Sequence, residues 1–239
     1  MTGANGTHEL LRYLERHADD LLSATAEHAG LVCATLGISC AVAGVLVCAC
    51  LARPRLARMV TEVAAALYAI PSLALFALLI PLTGLGTTTA VAVMTIYCQF
   101  ILVRNALDGL LGVDRAIIEA ATGMGMSPRQ LLLRIRIPLA LPSIISGIRL
   151  AALSCVGIAT VAAGINAGGL GALLFSGLRS LHMEKIVTAT ACCVLLALAF
   201  DLILRLLGHT VDYRSHHHIL KRSIPENTSV LRKHPRKSR

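Results

Sequence analysis

Residues 118–142 read IEAATGMGMSPRQLLLRIRIPLALP, a stretch dense in arginine that lies between two long apolar runs. Before it, residues 63–103 carry no charged side chain and are interrupted near the middle by Pro81, Gly84 and Gly86; after it, residues 139–178 carry only Arg149. A helix needs about 20 apolar residues to cross a bilayer, so the quoted stretch reads as a loop held outside the membrane between two spans. Working outward, residues 30–51 are uncharged and predict a first span, and residues 63–103 predict a hairpin of two. A fourth is expected over 139–163, followed by a glycine-rich loop, and a fifth over 186–208. Backbone in hydrocarbon must satisfy its own hydrogen bonds, so the fold class is an all-α integral membrane protein of about five transmembrane helices.

The composition agrees. Of 239 residues, 56% are hydrophobic and 15% charged, and the mean hydropathy is +0.73; soluble domains carry about 25% charged residues. The chain divides into an amphipathic N-terminal segment (1–28), a membrane domain (29–208) whose polar loop covers about 112–138, and a basic tail (209–239). In the first segment, Leu10, Leu11, Leu14, Leu21 and Leu22 alternate with Arg12, Glu15, Arg16 and Asp19, the pattern of a helix lying on a membrane or against the bundle. It lacks the basic start and short apolar core of a secretory signal.

Charge sets the expected orientation. Arg53, Arg55 and Arg58 follow the first span, Arg104, Arg115, Arg129, Arg134 and Arg136 separate the third and fourth, and the tail is rich in Lys and Arg. With five spans all three segments share one side. The positive-inside rule makes that side cytoplasmic and puts the N-terminus outside. The formal charge of +9 thus points to anionic lipid rather than to nucleic acid, since the basic residues flank spans and, Tyr213 aside, no aromatics alternate with those of the tail.

Within the loop, the residue types predict a short helix ending at a turn over 123–125, then a second helix with Ser127 as N-cap and Pro128 at its first position. Small Ala120 and Ala121 permit close approach by another protein, and Gly125 permits a tight turn. Glu119, Ala120, Ala121, Gly125, Ile135 and Pro138, at their spacing, resemble the EAA loop of binding-protein-dependent ABC importer permeases, with Ile137 where Leu is usual. The likeness runs from about 29 to 208. Ile70-Pro71-Ser72-Leu73-Ala74, Gly112-Val113-Asp114, Gly123-Met124-Gly125-Met126, Leu139-Ala140-Leu141-Pro142 and Ala167-Gly168-Gly169-Leu170-Gly171 resemble the branch that carries glycine betaine, carnitine and choline; Asn166 stands where that branch often has Gly.

This resemblance implies the type I importer permease fold and docking of the loop onto cytoplasmic ABC ATPase subunits that bind ATP and Mg. It also implies a second permease subunit, identical or homologous, and an extracytoplasmic substrate-binding protein. The chain itself is then no enzyme: it holds no catalytic residue, metal or cofactor, and no phosphate loop, HExxH or GxSxG is present. An ion-coupled secondary transporter or channel is the alternative class, with Asp201 as its intramembrane acid, and an amino acid is the alternative cargo.

Other residues invite a role in the pathway or a helix break: Tyr68, Pro71, Pro142 and Arg149. Each proline removes a backbone donor and kinks the helix or shapes packing. An intramembrane arginine snorkels, pairs, or faces water. Asp201 and Arg205 have the i, i+4 spacing of a helical ion pair. The eight cysteines lie in apolar runs without a CxxC pair and read as small packing residues; His216, His217 and His218 lack nearby cysteine partners for a metal. With no Trp and 3% aromatics, the chain is poor in material for an aromatic cage around a quaternary ammonium. Tight recognition of such a cargo is expected on another polypeptide, with Tyr68, Phe76, Tyr97 and Phe100 serving core packing or lipid contact and offering at most a weak transit surface.

Overall fold

The computed structural model describes residues 3–223 and is helical throughout. The His216–His218 side chains and residues 224–239 of the basic tail lie outside the described set. Helix α1 (Gly3–Arg16) joins α2 (Ala18–Cys50), and α3 (Pro54–Tyr68) and α4 (Ser72–Thr83) precede α5 (Thr87–Leu111). Two short helices, α6 (Arg115–Gly123) and α7 (Pro128–Leu131), form the loop. A π turn over Leu132–Arg136 leads into α8 (Ile137–Ala162), followed by α9 (Gly169–Ser180) and α10 (Met183–Ser223).

Four described helices are long and apolar enough to cross a membrane, and the bent pair α3–α4 makes up to five. That pair corrects the expected simple hairpin. The turn into α5 does fall at Gly84 and Gly86, both at positive φ, but Pro81 lies inside α4. The first leg breaks at residues 69–71 and bends by 98°. Pro71 offers no N–H and pushes Ile70 out of helical conformation; it sits as the N-cap of α4 with φ −57° and ψ 135°.

The first span also starts earlier than its apolar run. Helix α2 begins at Ala18, with Asp19 and Asp20 in its first turn, where carboxylates suit the helix dipole. The expected glycine-rich loop is short, because α9 starts at Gly169. Asn166, at φ 64°, adopts the left-handed conformation usual for glycine.

The core forms where α2, α5 and α8 meet, around Val32, Val93, Met94, Cys98, Val103, Cys155 and Ala159. Small residues allow α5 and α8 to approach closely. A Cβ on Gly147 would come within 2.7 Å of Asn105 Cβ, and one on Gly109 within 2.8 Å of Ser143 Cβ. Ser143 Oγ donates to the Asn105 carbonyl at 2.8 Å, tying the two helices beside the polar loop that joins them.

Candidate coupling site

The loop leaves α5 at Gly112, whose N–H donates to the Asp108 carbonyl at 2.9 Å. Asp114 then caps α6 by accepting from the Ala116 N–H at 2.9 Å. Helix α6 ends in a turn where Gly125 takes φ +79° and the Met126 N–H reaches back to the Ala121 carbonyl at 3.2 Å. Helix α7 opens with a reciprocal capping box: Ser127 N–H donates to Gln130 Oε1 at 2.9 Å, and Gln130 N–H to Ser127 Oγ at 3.4 Å. Local sequence chemistry thus fixes a compact helix–turn–helix.

The six motif residues occupy different places in it. Glu119 and Ala120 are exposed on α6, and Gly125 makes the turn with nothing within 4 Å of a would-be Cβ. Ala121 is only 1% exposed; it fills the knob from within, so of the two alanines only Ala120 is open to another surface. Ile135, on the π turn, and Pro138, at the start of α8, are half-buried at the root.

Three apolar side chains stand out from the same loop: Ile117, Met124 (73% exposed) and Leu133 (64% exposed). Ile117 and Met124 belong to α6 and its turn, while Leu133 lies on the π turn at the root, within the 128–165 run that is long and apolar enough to cross a membrane. Of the three, only Met124, between two glycines, stands out in the sequence.

The other candidate residues separate into two groups. Tyr68 lies at the end of α3, with ring centroids 5.5 Å from Tyr97 and 5.0 Å from Phe100, and Arg104 stands over the Phe100 ring at 5.7 Å. The Tyr97 hydroxyl donates to the Ile70 carbonyl at the break before Pro71. Phe76 and Tyr97, 1% and 5% exposed, belong to the core. Pro142 leaves α8 unbroken. Arg149 is bound rather than snorkelling: its Nε and a terminal nitrogen donate to Asp201 Oδ1 at 2.8 and 2.6 Å, while Arg205 donates to Oδ2 at 3.0 Å.

The chain is thus a bent, multi-span helical bundle with a capped helix–turn–helix between α5 and α8. Residues 35–216 match the family described as binding-protein-dependent transport system inner membrane component, and the chain belongs to that family. The carnitine transport permease protein OpuCB of Listeria monocytogenes is 35% identical over 80% of this chain and 88% of its own length. The choline transport system permease protein OpuBB of Bacillus subtilis is 31% identical over 82% and 91%, and the osmoprotectant import permease protein OsmW of Salmonella typhimurium 34% over 82% and 94%. Among solved structures, an inward-facing form of the MetNI methionine ABC transporter superposes with a TM-score of 0.69 at 20% identity, over 83% of this chain and 97% of that one. The protein is therefore a multi-pass membrane transport component, an ABC importer permease, which sets aside the ion-coupled carrier or channel.

Proposed function

We propose that the chain forms the translocation pathway for a quaternary ammonium osmoprotectant such as glycine betaine, carnitine or choline. The observation that carries this cargo is the agreement of three relatives, named for carnitine, choline and osmoprotectant transport, each covering 80% or 82% of the chain. The permease pairs with a second permease subunit, receives solute from an extracytoplasmic binding protein, and is driven by two cytoplasmic ATPases that hold ATP and Mg.

The docking surface is the exposed part of the loop: Glu119 and Ala120 on α6, the Gly125 turn, and the apolar side chains of Ile117, Met124 and Leu133. A groove on the ATPase accepts this knob, and ATP-driven closure moves α5 and α8, the two stems on which it hangs. The N-terminus is outside and the basic segments are cytoplasmic, since arginine follows the first span and fills this loop.

The test is uptake by proteoliposomes containing the permease together with its co-purified ATPase and binding protein. ATP-dependent accumulation of glycine betaine, carnitine or choline, in preference to a panel of amino acids, is expected. Preferential uptake of an amino acid would overturn the cargo, and robust uptake by the permease alone without ATP would overturn the coupling role.

A further inference from the structure

Three spanning helices leave a groove between them at the end of the bundle that carries the coupling loop. Its volume is about 250 Å³, and its walls are α2 from Cys40 to Leu51, α5 from Leu102 to Leu110 and α8 from Ile137 to Ile148, with Leu132 of the π turn. The lining consists of Ala, Cys, Val, Leu and Ile side chains and the bare backbone of Gly44. The steps from Cys40 to Leu51 and from Ile137 to Ile148, at 1.5 Å each, make it about 16 Å long, half of a hydrocarbon core of about 30 Å. The groove thus has the length of one leaflet. It stops beside Cys40, where Gln99 Nε2 donates to the Ser39 carbonyl at 3.3 Å and ties α5 to α2.

Volume over length gives a cross-section of about 15 Å². A helix of a second permease subunit, about 10 Å across, does not fit such a slot; a single hydrocarbon chain does. Water finds no polar side chain on these walls to hold it. Gly44 and Cys48 are exposed, and nothing lies within 4 Å of a Cβ on Gly44, so the groove is open along α2.

The loop-side end of the groove is cationic. Arg53, exposed just beyond Leu51, borders a wider recess at the turn from α2 to α3 that also includes Arg55. Arg136 lies on the turn that joins Leu132 to Ile137, and its Nε is buried without a hydrogen-bond partner. A buried donor calls for an acceptor, and a guanidinium matches the oxygens of a phosphate. Asp108, the acid on the α5 side, is already engaged by Arg104 at 3.7 Å.

We propose that the groove binds one acyl chain of an anionic phospholipid in the leaflet nearer the coupling loop, with the lipid phosphate held by Arg136 and Arg53. The site lies against α5 and α8, the stems of the loop. It depends neither on the cargo nor on which compartment the loop faces.

The test uses the complete transporter, permease with its co-purified ATPase and binding protein, in phosphatidylcholine nanodiscs. Two probes are compared, phosphatidylglycerol and phosphatidylcholine, each carrying the same photoactivated diazirine at mid-chain. Covalent labelling is mapped by peptide mass spectrometry at Leu102 and Leu110, which line the groove and are only 5% and 4% exposed. The phosphatidylglycerol probe is expected to label them about fivefold more than the phosphatidylcholine probe, the scale of one arginine against an anionic headgroup. Gly44→Leu fills the groove with a residue that favours helix over glycine and should abolish labelling by both probes; Ala106→Leu, on the α5 wall, carries the same test if that variant does not assemble. Arg136→Gln keeps the groove, removes the charge, and should bring the two probes to near equality. Equal labelling by both probes in the wild type, no labelling there by either, or labelling that survives the groove-filling substitution would overturn the site. A preference for phosphatidylglycerol that survives Arg136→Gln would overturn the phosphate contact at Arg136.

Discussion

Gly125 stands at φ +79° with open space around its would-be Cβ. Crowding therefore does not explain glycine here; the backbone conformation does. Left-handed backbone costs an ordinary L-residue about 1–2 kcal/mol, and a β-branched one is disfavoured further. Gly125→Val is expected to distort the knob while leaving the spans intact. Substrate-stimulated ATP hydrolysis should fall severalfold at normal membrane insertion, and normal stimulated hydrolysis would remove Gly125 from the coupling role. Arg149, Asp201 and Arg205 pose a different problem, a part-buried carboxylate shared by two guanidinium groups, of which Arg205 is 55% exposed. Removing one partner of the Arg149–Asp201 contact leaves unpaired charge, whereas replacing both by apolar groups leaves only Arg205, which reaches water. Arg149→Met and Asp201→Leu should each lower the Tm of the solubilised protein, and the double variant should recover much of the loss. A double variant no better than the worse single one would mean that the ion pair does more than balance charge.

At the scale of elements, the break between α3 and α4 depends on Pro71 and on Tyr97. The proline ends helical hydrogen bonding, and the Tyr97 hydroxyl supplies a donor to the Ile70 carbonyl that precedes it. Tyr97→Phe keeps the ring contact with Tyr68 and deletes only that donor, so a destabilisation of about 1 kcal/mol is expected, measured as a lower Tm. An unchanged Tm would show that another group satisfies the carbonyl. Much of this architecture was legible in the sequence: the turn at Gly84 and Gly86, the Ser127 N-cap and the apolar spans rest on local residue chemistry. Pro71 was one candidate for a helix break, but the 98° bend itself was not legible, because apolar composition reports length and burial but not direction, and Pro81 looked as able to interrupt the chain as Pro71. Helix α9 was hidden for a related reason. Gly168, Gly169 and Gly171 read as loop, yet they serve close approach to Glu27, His28 and the Thr160 carbonyl. Ala121 was misjudged as surface because helix facing within so short an element is decided by the turn that folds back on it.

For the molecule as a whole, the two constructed ends have opposite characters. One carries the arginine-rich loop, and the other carries the turn at Gly84–Gly86, the loop at 166–168 and the start of α10. Helices α5 and α8, tied through Asn105, Ser143 and Gly147, connect them as a close-packed pair, the stems that the proposed docking would act on. This arrangement works as an importer only if the loop faces the ATPase compartment, which makes orientation a property to measure. The native cysteines occupy helices within the spans, so a membrane-impermeant maleimide should label them poorly in sealed vesicles. Gln130→Cys, on the exposed face of α7, should then be labelled in inside-out vesicles and protected in right-side-out ones. Arg179→Cys, near the end of α9, should behave in the reverse manner. The opposite pattern would place the knob outside, beyond the reach of a cytoplasmic ATPase, and would overturn both the orientation and the docking role. Weaker labelling of Gln130→Cys once the ATPase is bound would support docking at this face, because the partner would cover the thiol without altering the topology.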